Sequence, residues 1–348
     1  MSTESLLTGI ALPFLLLLFS WHSHAQSPQP SASDATPITR VSTEFVVLDA
    51  LVENKSTRTL VGTLGSKDFR LSEDGISQTI TYFSHDELPL SVVFLLDLTD
   101  TVRPALKPLA QAAREILGHL KLQDEVAIMV FSSHAELLQD FTTDRSLAAA
   151  AVEKAAGMKS NEGTFINEDM YEAVEQATKS TVQGSRRVLL WLTDDTTNLQ
   201  NSVTQKTIGK HAPSHLHTKA EATDKLLRSG VVVSALIDRP PETDAFIAAM
   251  DANPFAFVVG GRIGDVRKYA EATGGPVLNT SKKEVAARLA MLIDQVRNRY
   301  TLGYKPVTAK PEGTFCKLQL ELQPEVFKDH PNLRRKDVIV RTKRGYYR

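Results

Sequence analysis

Along the middle of the chain, hydrophobic positions fall in solid runs separated by helical stripes; toward both ends they alternate singly with polar ones. Val92-Val93-Phe94-Leu95-Leu96 is an unbroken apolar run ending on Asp97, the pattern of a central parallel strand covered on both faces. Val126 to Phe131, Val188 to Leu192 and Val231 to Ile237 repeat it, with a shorter strand at Val277-Leu278. Leu106, Leu109, Ala113, Ile116, Leu117 and Leu120 predict one face of a helix after Asp97. Further helices are predicted at Leu147 to Ala155, Tyr171 to Thr178, ahead of Gly230, Val266 to Ala272 and Val285 to Val296. Leu137 to Phe141 reads as a hairpin arm on Val126 to Phe131. This alternation predicts an α/β fold with a Rossmann-like, doubly wound, mostly parallel sheet.

The ends read differently. Phe45, Val47 and Leu51 share one strand face, and Val46, Leu48 and Val52 the other. Phe69 to Leu71 and Ile80 to Phe83, around Glu73-Asp74-Gly75, predict a hairpin turned by the Asp-Gly pair. Strand patterns return at Tyr300 to Tyr304, Cys316 to Leu322, Val338 to Arg341 and Gly345-Tyr346-Tyr347. Neither end is long enough to bury a core alone, so the two are expected to pair into one small β-sandwich beside the α/β domain. The expected division is a signal peptide over 1–25, a flexible Ser/Pro/Ala leader over 26–37 and a β segment over 38–87. The α/β domain then spans 88–298, and a C-terminal β segment over 299–348 packs with the N-terminal one.

Open α/β sheets gather their ligands at the carboxyl ends of strands. There, Asp97, Thr99 and Thr101 alternate after the first run, Thr164 sits in the Ser160-to-Thr164 loop, and Asp194 closes the run at Val188. If these strands are neighbours, two carboxylates and three hydroxyls converge. These are hard oxygen donors suited to magnesium or calcium, with a coordination position left for an outside ligand.

On these residues the chain resembles the von Willebrand factor A family, which carries Asp-x-Ser-x-Ser after its first strand, then a Thr and an Asp in later loops. Together these form its metal-ion-dependent adhesion site. The resemblance implies that Asp97, Thr99, Thr101, Thr164 and Asp194 are metal ligands, with Mg2+ as the cation and Mn2+ or Ca2+ as alternatives. More narrowly, the chain looks like the exported von Willebrand A-related proteins known chiefly from acidobacteria. That likeness rests on Asp68-Phe69-Arg70-Leu71-Ser72-Glu73-Asp74-Gly75, Glu271-Ala272-Thr273-Gly274-Gly275, Tyr300-Thr301-Leu302-Gly303-Tyr304 and Arg344-Gly345-Tyr346-Tyr347. It implies a binding role with no established activity. The chain departs from the pattern in having Thr for both serines, Asp100 and Asp195 where Gly is common, and Glu162 for the first Gly of a Gly-Gly-Thr. The extra acids are expected to raise cation affinity and to repel an acidic partner; the competing reading is a decayed site in which Asp97 and Asp194 only cap loops.

Composition narrows the partners. With 42% hydrophobic and 23% charged residues, the 348-residue chain has the balance of a globular protein. Residues 1–25 hold Glu4 and no Lys or Arg, so the remainder balances 40 basic against 40 acidic side chains. That neutrality gives no basis for binding nucleic acid or an anionic membrane. Leu6 to Phe19 has the length of a signal-peptide core, and Ser23-His24-Ala25 offers small residues for cleavage before Gln26. An uncleaved anchor is the alternative; with cleavage no integral span remains and the chain is periplasmic or extracellular. Cys316 is the only cysteine, which excludes an intramolecular disulfide.

Enzyme signatures are missing. Thr99 stands where a haloacid-dehalogenase-like phosphatase needs its second Asp, and no Gly-x-Ser-x-Gly elbow occurs. Gly260-Gly261-Arg262-Ile263-Gly264 reads as a connecting turn, because Val259 takes the place of the first Gly of a dinucleotide loop. His211, His215 and His217 lie in a polar stretch from Asn198 to Thr218 that is expected to be a solvated loop. Trp191, Tyr346 and Tyr347 are expected in the core and strands. The expectation is an exported, non-enzymatic, adhesion-like module that engages an acidic group of an unidentified protein ligand through a divalent cation. A metal-independent envelope scaffold is the alternative, and a metal-dependent hydrolase a weaker one.

Overall fold

The computed structural model describes residues 45–85, 88–159, 164–197, 216–239, 262–330 and 333–348. Its centre is a six-stranded sheet. β1 (Val46–Asn54), β2 (Phe69–Glu73), β3 (Ile76–Gln78) and β4 (Ile80–Ser84) precede it; β5 (Leu90–Asp97) is its middle strand. Helices α1 (Arg103–Gln111) and α2 (Ala113–Leu117), strands β6 (Glu125–Phe131) and β7 (Ala135–Thr142), and helices α3 (Arg145–Gly157) and α4 (Ile166–Thr178) follow. Next come β8 (Arg186–Thr193), β9 (Thr196–Thr197), α5 (Lys219–Ser229), β10 (Val232–Ile237) and β11 (Arg262–Ile263). The domain closes with α6 (Val266–Thr273), β12 (Val277–Asn279) and α7 (Val285–Arg297). Strand order is β12-β10-β8-β5-β6-β7, parallel throughout except for the antiparallel edge β7. Both the doubly wound sheet and the predicted β6–β7 hairpin are therefore present.

All eight residues of β5 are buried. Val92, Phe94 and Leu96 pack into a core with α1, α2, α3 and α7, while Val93 and Leu95 enter a second core with α4, α5 and α6. The strand reads as a solid apolar run because each face has its own helical layer. The stripe predicted over Leu106 to Leu120 is buried throughout, but Leu106 to Leu117 belongs to two helices broken at Ala112, one turn after Pro108 inside α1, and Leu120 follows in a turn. A proline in a helix interior removes a backbone donor and crowds the preceding turn.

Strands from the two chain ends do build a sandwich. β13 (Tyr300–Tyr304), β14 (Phe315–Leu322), β15 (Val338–Thr342) and β16 (Gly345–Tyr347) join the early strands in two sheets, ordered β15-β1-β13-β4 and β16-β14-β2-β3. Val46, Leu48, Phe69, Leu71, Tyr300, Leu302, Leu318 and Leu320 share one core between them. The predicted hairpin needs correction: Asp74 (φ 49°) and Gly75 (φ 83°) turn β2 into the short β3, while Ile80–Ser84 crosses to pair with β13 in the other sheet. Crossing lets one segment supply both layers. Cys316 is buried in β14, Trp191 is core, and Tyr346 is buried in β16.

Sandwich and α/β domain are joined by buried charge. Arg186, the first residue of β8, donates Nε and Nη2 to Asp49 of β1 (2.8 and 3.0 Å) and Nη1 to the carbonyls of Val296 and Arg297. Burial alone would raise the Asp49 carboxyl, but Arg186 beside it holds it below the usual range. Gly274 (φ 74°) caps α6 where a Cβ would fall on the backbone of Thr342, and a Cβ on Gly275 would fall on the carbonyl of Val233. Arg186 opens β8 and Asp194 follows its end, so this junction and the predicted site lie at opposite ends of one strand, roughly 25 Å apart.

Candidate functional site

β5 and β8 are hydrogen-bonded neighbours, with Leu96 opposite Leu192. That register sets Asp97 beside Thr193, whose hydroxyl donates to Asp97 Oδ2 (2.9 Å). Thr99 folds back over the strand end: its backbone N–H (2.8 Å) and its hydroxyl (2.6 Å) both donate to Asp97 Oδ1. The Thr99 and Thr101 hydroxyls are 3.1 Å apart, and Thr101 donates to Asp194 Oδ2 at 2.7 Å. Asp97, Thr99, Thr101 and Asp194 thus form one continuous arc of oxygens. Thr164 joins at one remove: its hydroxyl donates to the carbonyl of Thr196 (2.7 Å), whose own N–H donates to Asp194 Oδ1 (2.9 Å).

Asp97 is fully buried, and burial followed by repulsion from Asp194 pushes its carboxyl up to about 7. Three hydrogen bonds from Thr99 and Thr193 lower it only in part. An all-oxygen cluster in which two acids repel one another has the chemistry to hold a hard cation.

Of the acids that depart from the family pattern, Asp100 and Asp195 are held by groups outside this arc. Asp100 is exposed and pairs with Arg103 (2.7 Å). Asp195, at φ 55°, turns away: Oδ1 accepts from the N–H of Val266 (3.2 Å) at the start of α6, and its carbonyl accepts from Gly264 (2.7 Å). A Cβ on Gly264 would stand 2.5 Å from that carboxylate, which explains a glycine there. Burial raises Asp195 to about 6. Asp100 and Asp195 thus have partners of their own, and neither is hydrogen-bonded to the arc among the described residues. Glu162, His211, His215, Gly260 and Gly261, like the segments 1–25 and 26–37, lie outside the described residues.

Three residues at this edge escaped the sequence reading. Asp238 follows β10 beside Asp194, and its N–H donates to the carbonyl of Thr193 (2.9 Å). Burial raises its carboxyl, with Asp194 adding to the effect. The signal existed, since Ile237-Asp238 is a further case of an apolar strand running into a carboxylate. Arg239 bonds the carbonyls of Asp194 and Asp195 through Nη1 (2.8 and 3.3 Å), bracing the loop from behind. Asp169 is fully buried on α4 and gave no signal, because an acid within a helix's apolar stripe reads as a surface residue. His217, expected in a solvated loop, instead stacks on Tyr171 (centroids 3.7 Å apart), with Nδ1 2.8 Å from Glu168 Oε2.

A second group of acids, Glu73 and Asp74 with Cys316, has ligand atoms within 4.8 Å of one another in the sandwich. Tyr304 and Tyr346 donate to Glu73 (2.5 and 3.0 Å), and Lys310 pairs with Asp74. These partners account for the acids without an ion. Among the described residues no helix is long and apolar enough to cross a membrane.

Residues 92–196 match the von Willebrand factor type A domain. No curated protein matches the chain. Similar solved structures include BatB from Bacteroides thetaiotaomicron, 15% identical over 59% of this chain and 99% of that one, with a TM-score of 0.36. The von Willebrand domain of the type V pili tip protein Mfa5 from Porphyromonas gingivalis is 10% identical over 61% and 96% of the two chains (TM-score 0.39). A point mutant of the PilB minor pilin from Streptococcus sanguinis is 9% identical over 72% and 78% (TM-score 0.39).

Proposed function

We propose that this chain is a non-enzymatic protein-binding module that presents a divalent cation to an acidic group of a partner protein. Asp97, Thr99, Thr101, Thr164 and Asp194 are the proposed ligand set, and Mg2+ is the ion, in keeping with hard oxygen donors. The observation that carries this reading is the meeting of Asp97 and Asp194 along a hydroxyl arc, with Asp97 raised to about 7 by burial and by its neighbour. A cation between them relieves that repulsion. The match of residues 92–196 to the von Willebrand factor type A domain supports the same reading. Export to the periplasm or cell exterior, through cleavage after Ala25, belongs to the proposal.

Isothermal titration of the purified chain with MgCl2 and MnCl2 tests it. Heat that disappears in Asp97→Ala is expected; heat unaffected by that substitution, or none, discards the site. A metal-free scaffold is the second reading, favoured by the hydrogen bonds that Asp97 and Asp194 already accept from neighbouring Thr hydroxyls and amides. Partner capture with and without EDTA separates the two, since a scaffold holds its partner in chelator.

A further inference from the structure

Asp169 lies at a core position of α4, in the stripe Ile166, Asp169, Met170 and Ala173 that packs against the sheet. Its side chain is fully buried, and neither carboxylate oxygen makes a well-formed hydrogen bond, the backbone amide of Phe165 being its one weak donor. A buried acid left in that state destabilises a fold unless a proton or a positive charge reaches it. The largest charge effects on it all come from acids: Glu172 and Glu168 on its own helix, and Asp97 at the end of β5. Burial, then Glu172, then Asp97 raise its carboxyl well above the usual range, and the nearby Phe165 backbone amide offsets only part of this. Glu172 is itself engaged, accepting from the N–H of Ala135 (2.8 Å), and Glu168 holds His217. Asp169 is therefore the acid in this group without a well-formed hydrogen bond, and it stands five residues beyond Thr164.

We propose that Asp169 is a third carboxylate of the cation site, a positioning residue that adds negative charge behind Asp97 without ligating the ion. This rests on the cation-binding reading of Asp97 and Asp194. A divalent ion there supplies positive charge against these acids. The field of a buried acid is weakly screened, so it acts across the intervening side chains. The apo protein carries Asp169 as a liability, and the loaded protein uses it.

The test measures Mg2+ affinity by titration calorimetry and apo stability by urea unfolding in EDTA at pH 8, for wild type, D169N and D169A. D169A guards against an amide that fails to fit, since a methyl group suits a stripe that already contains Ala173. The expected result moves the two readouts in opposite directions: Mg2+ affinity falls roughly tenfold or more, while the apo urea midpoint rises. A merely structural role lowers stability and leaves affinity alone, which overturns the inference. Wild-type binding that depends on Asp97 but stays within about twofold in both variants also overturns it, with the cation site intact. No Asp97-dependent binding in wild type overturns both.

Discussion

Replacing Asp97 with asparagine keeps the shape of a fully buried side chain and removes its charge. An amide carbonyl in the place of Oδ1 still accepts from the N–H and hydroxyl of Thr99. The Thr193 hydroxyl, which donates to Oδ2, can turn and accept from the amide instead. The wild-type carboxyl is displaced from 3.8 to about 7 by burial and then by Asp194. Because the folded value lies above the unfolded one, the associated stability is complete below about pH 4 and is lost as pH rises through about 7. The full displacement corresponds to about 4 kcal/mol at pH 8 and about 1.5 kcal/mol at pH 5. In EDTA, D97N is therefore expected to exceed wild type in stability by up to about 4 kcal/mol at pH 8, with the gap narrowing toward pH 5. Urea unfolding followed by the fluorescence of Trp191, buried against Phe131, reads this directly. Mg2+ at one hundred times its Kd should close most of that gap, since it adds about 2.7 kcal/mol to the wild type only. A gap of equal size at both pH values, or a D97N protein less stable than wild type in EDTA at pH 8, would refute the electrostatic account.

At the junction, Asp49→Ala strands the buried Arg186 guanidinium and should lower unfolding stability by about 3–5 kcal/mol; the double variant with Arg186→Met should recover part of it in the same denaturant assay. Gly274→Ala puts a methyl group on the Thr342 backbone at a left-handed position, and loss of more than about 3 kcal/mol is expected by thermal unfolding. In the sandwich, Tyr304→Phe leaves Glu73 with Tyr346 as its remaining tyrosine donor; a loss of about 1–3 kcal/mol in urea unfolding is expected, without change in Mg2+ affinity.

The periodicity of the chain determined the element types, because a strand covered on both faces has no polar position to interrupt it. Val92 to Leu96 and Val188 to Leu192 were legible for that reason, as was the carboxylate that ends each run. The alternation at the two ends likewise implied a shared sandwich, since neither end could bury its apolar face alone. What the sequence left open was orientation. Asp195 and Asp100 sit beside the cluster in the chain, yet a left-handed backbone turns one to the N-terminus of α6 and Arg103 draws the other outward. Ile80–Ser84 looked like a hairpin arm, but its partner strand lies more than two hundred residues away. Asp169 and Asp238 became neighbours of Asp97 and Asp194 only when helix and strands were packed. Burial depends on local pattern and can be read along one dimension. Whether two acids meet, and whether a buried one finds a partner, depends on the register between segments that the chain joins only at a distance.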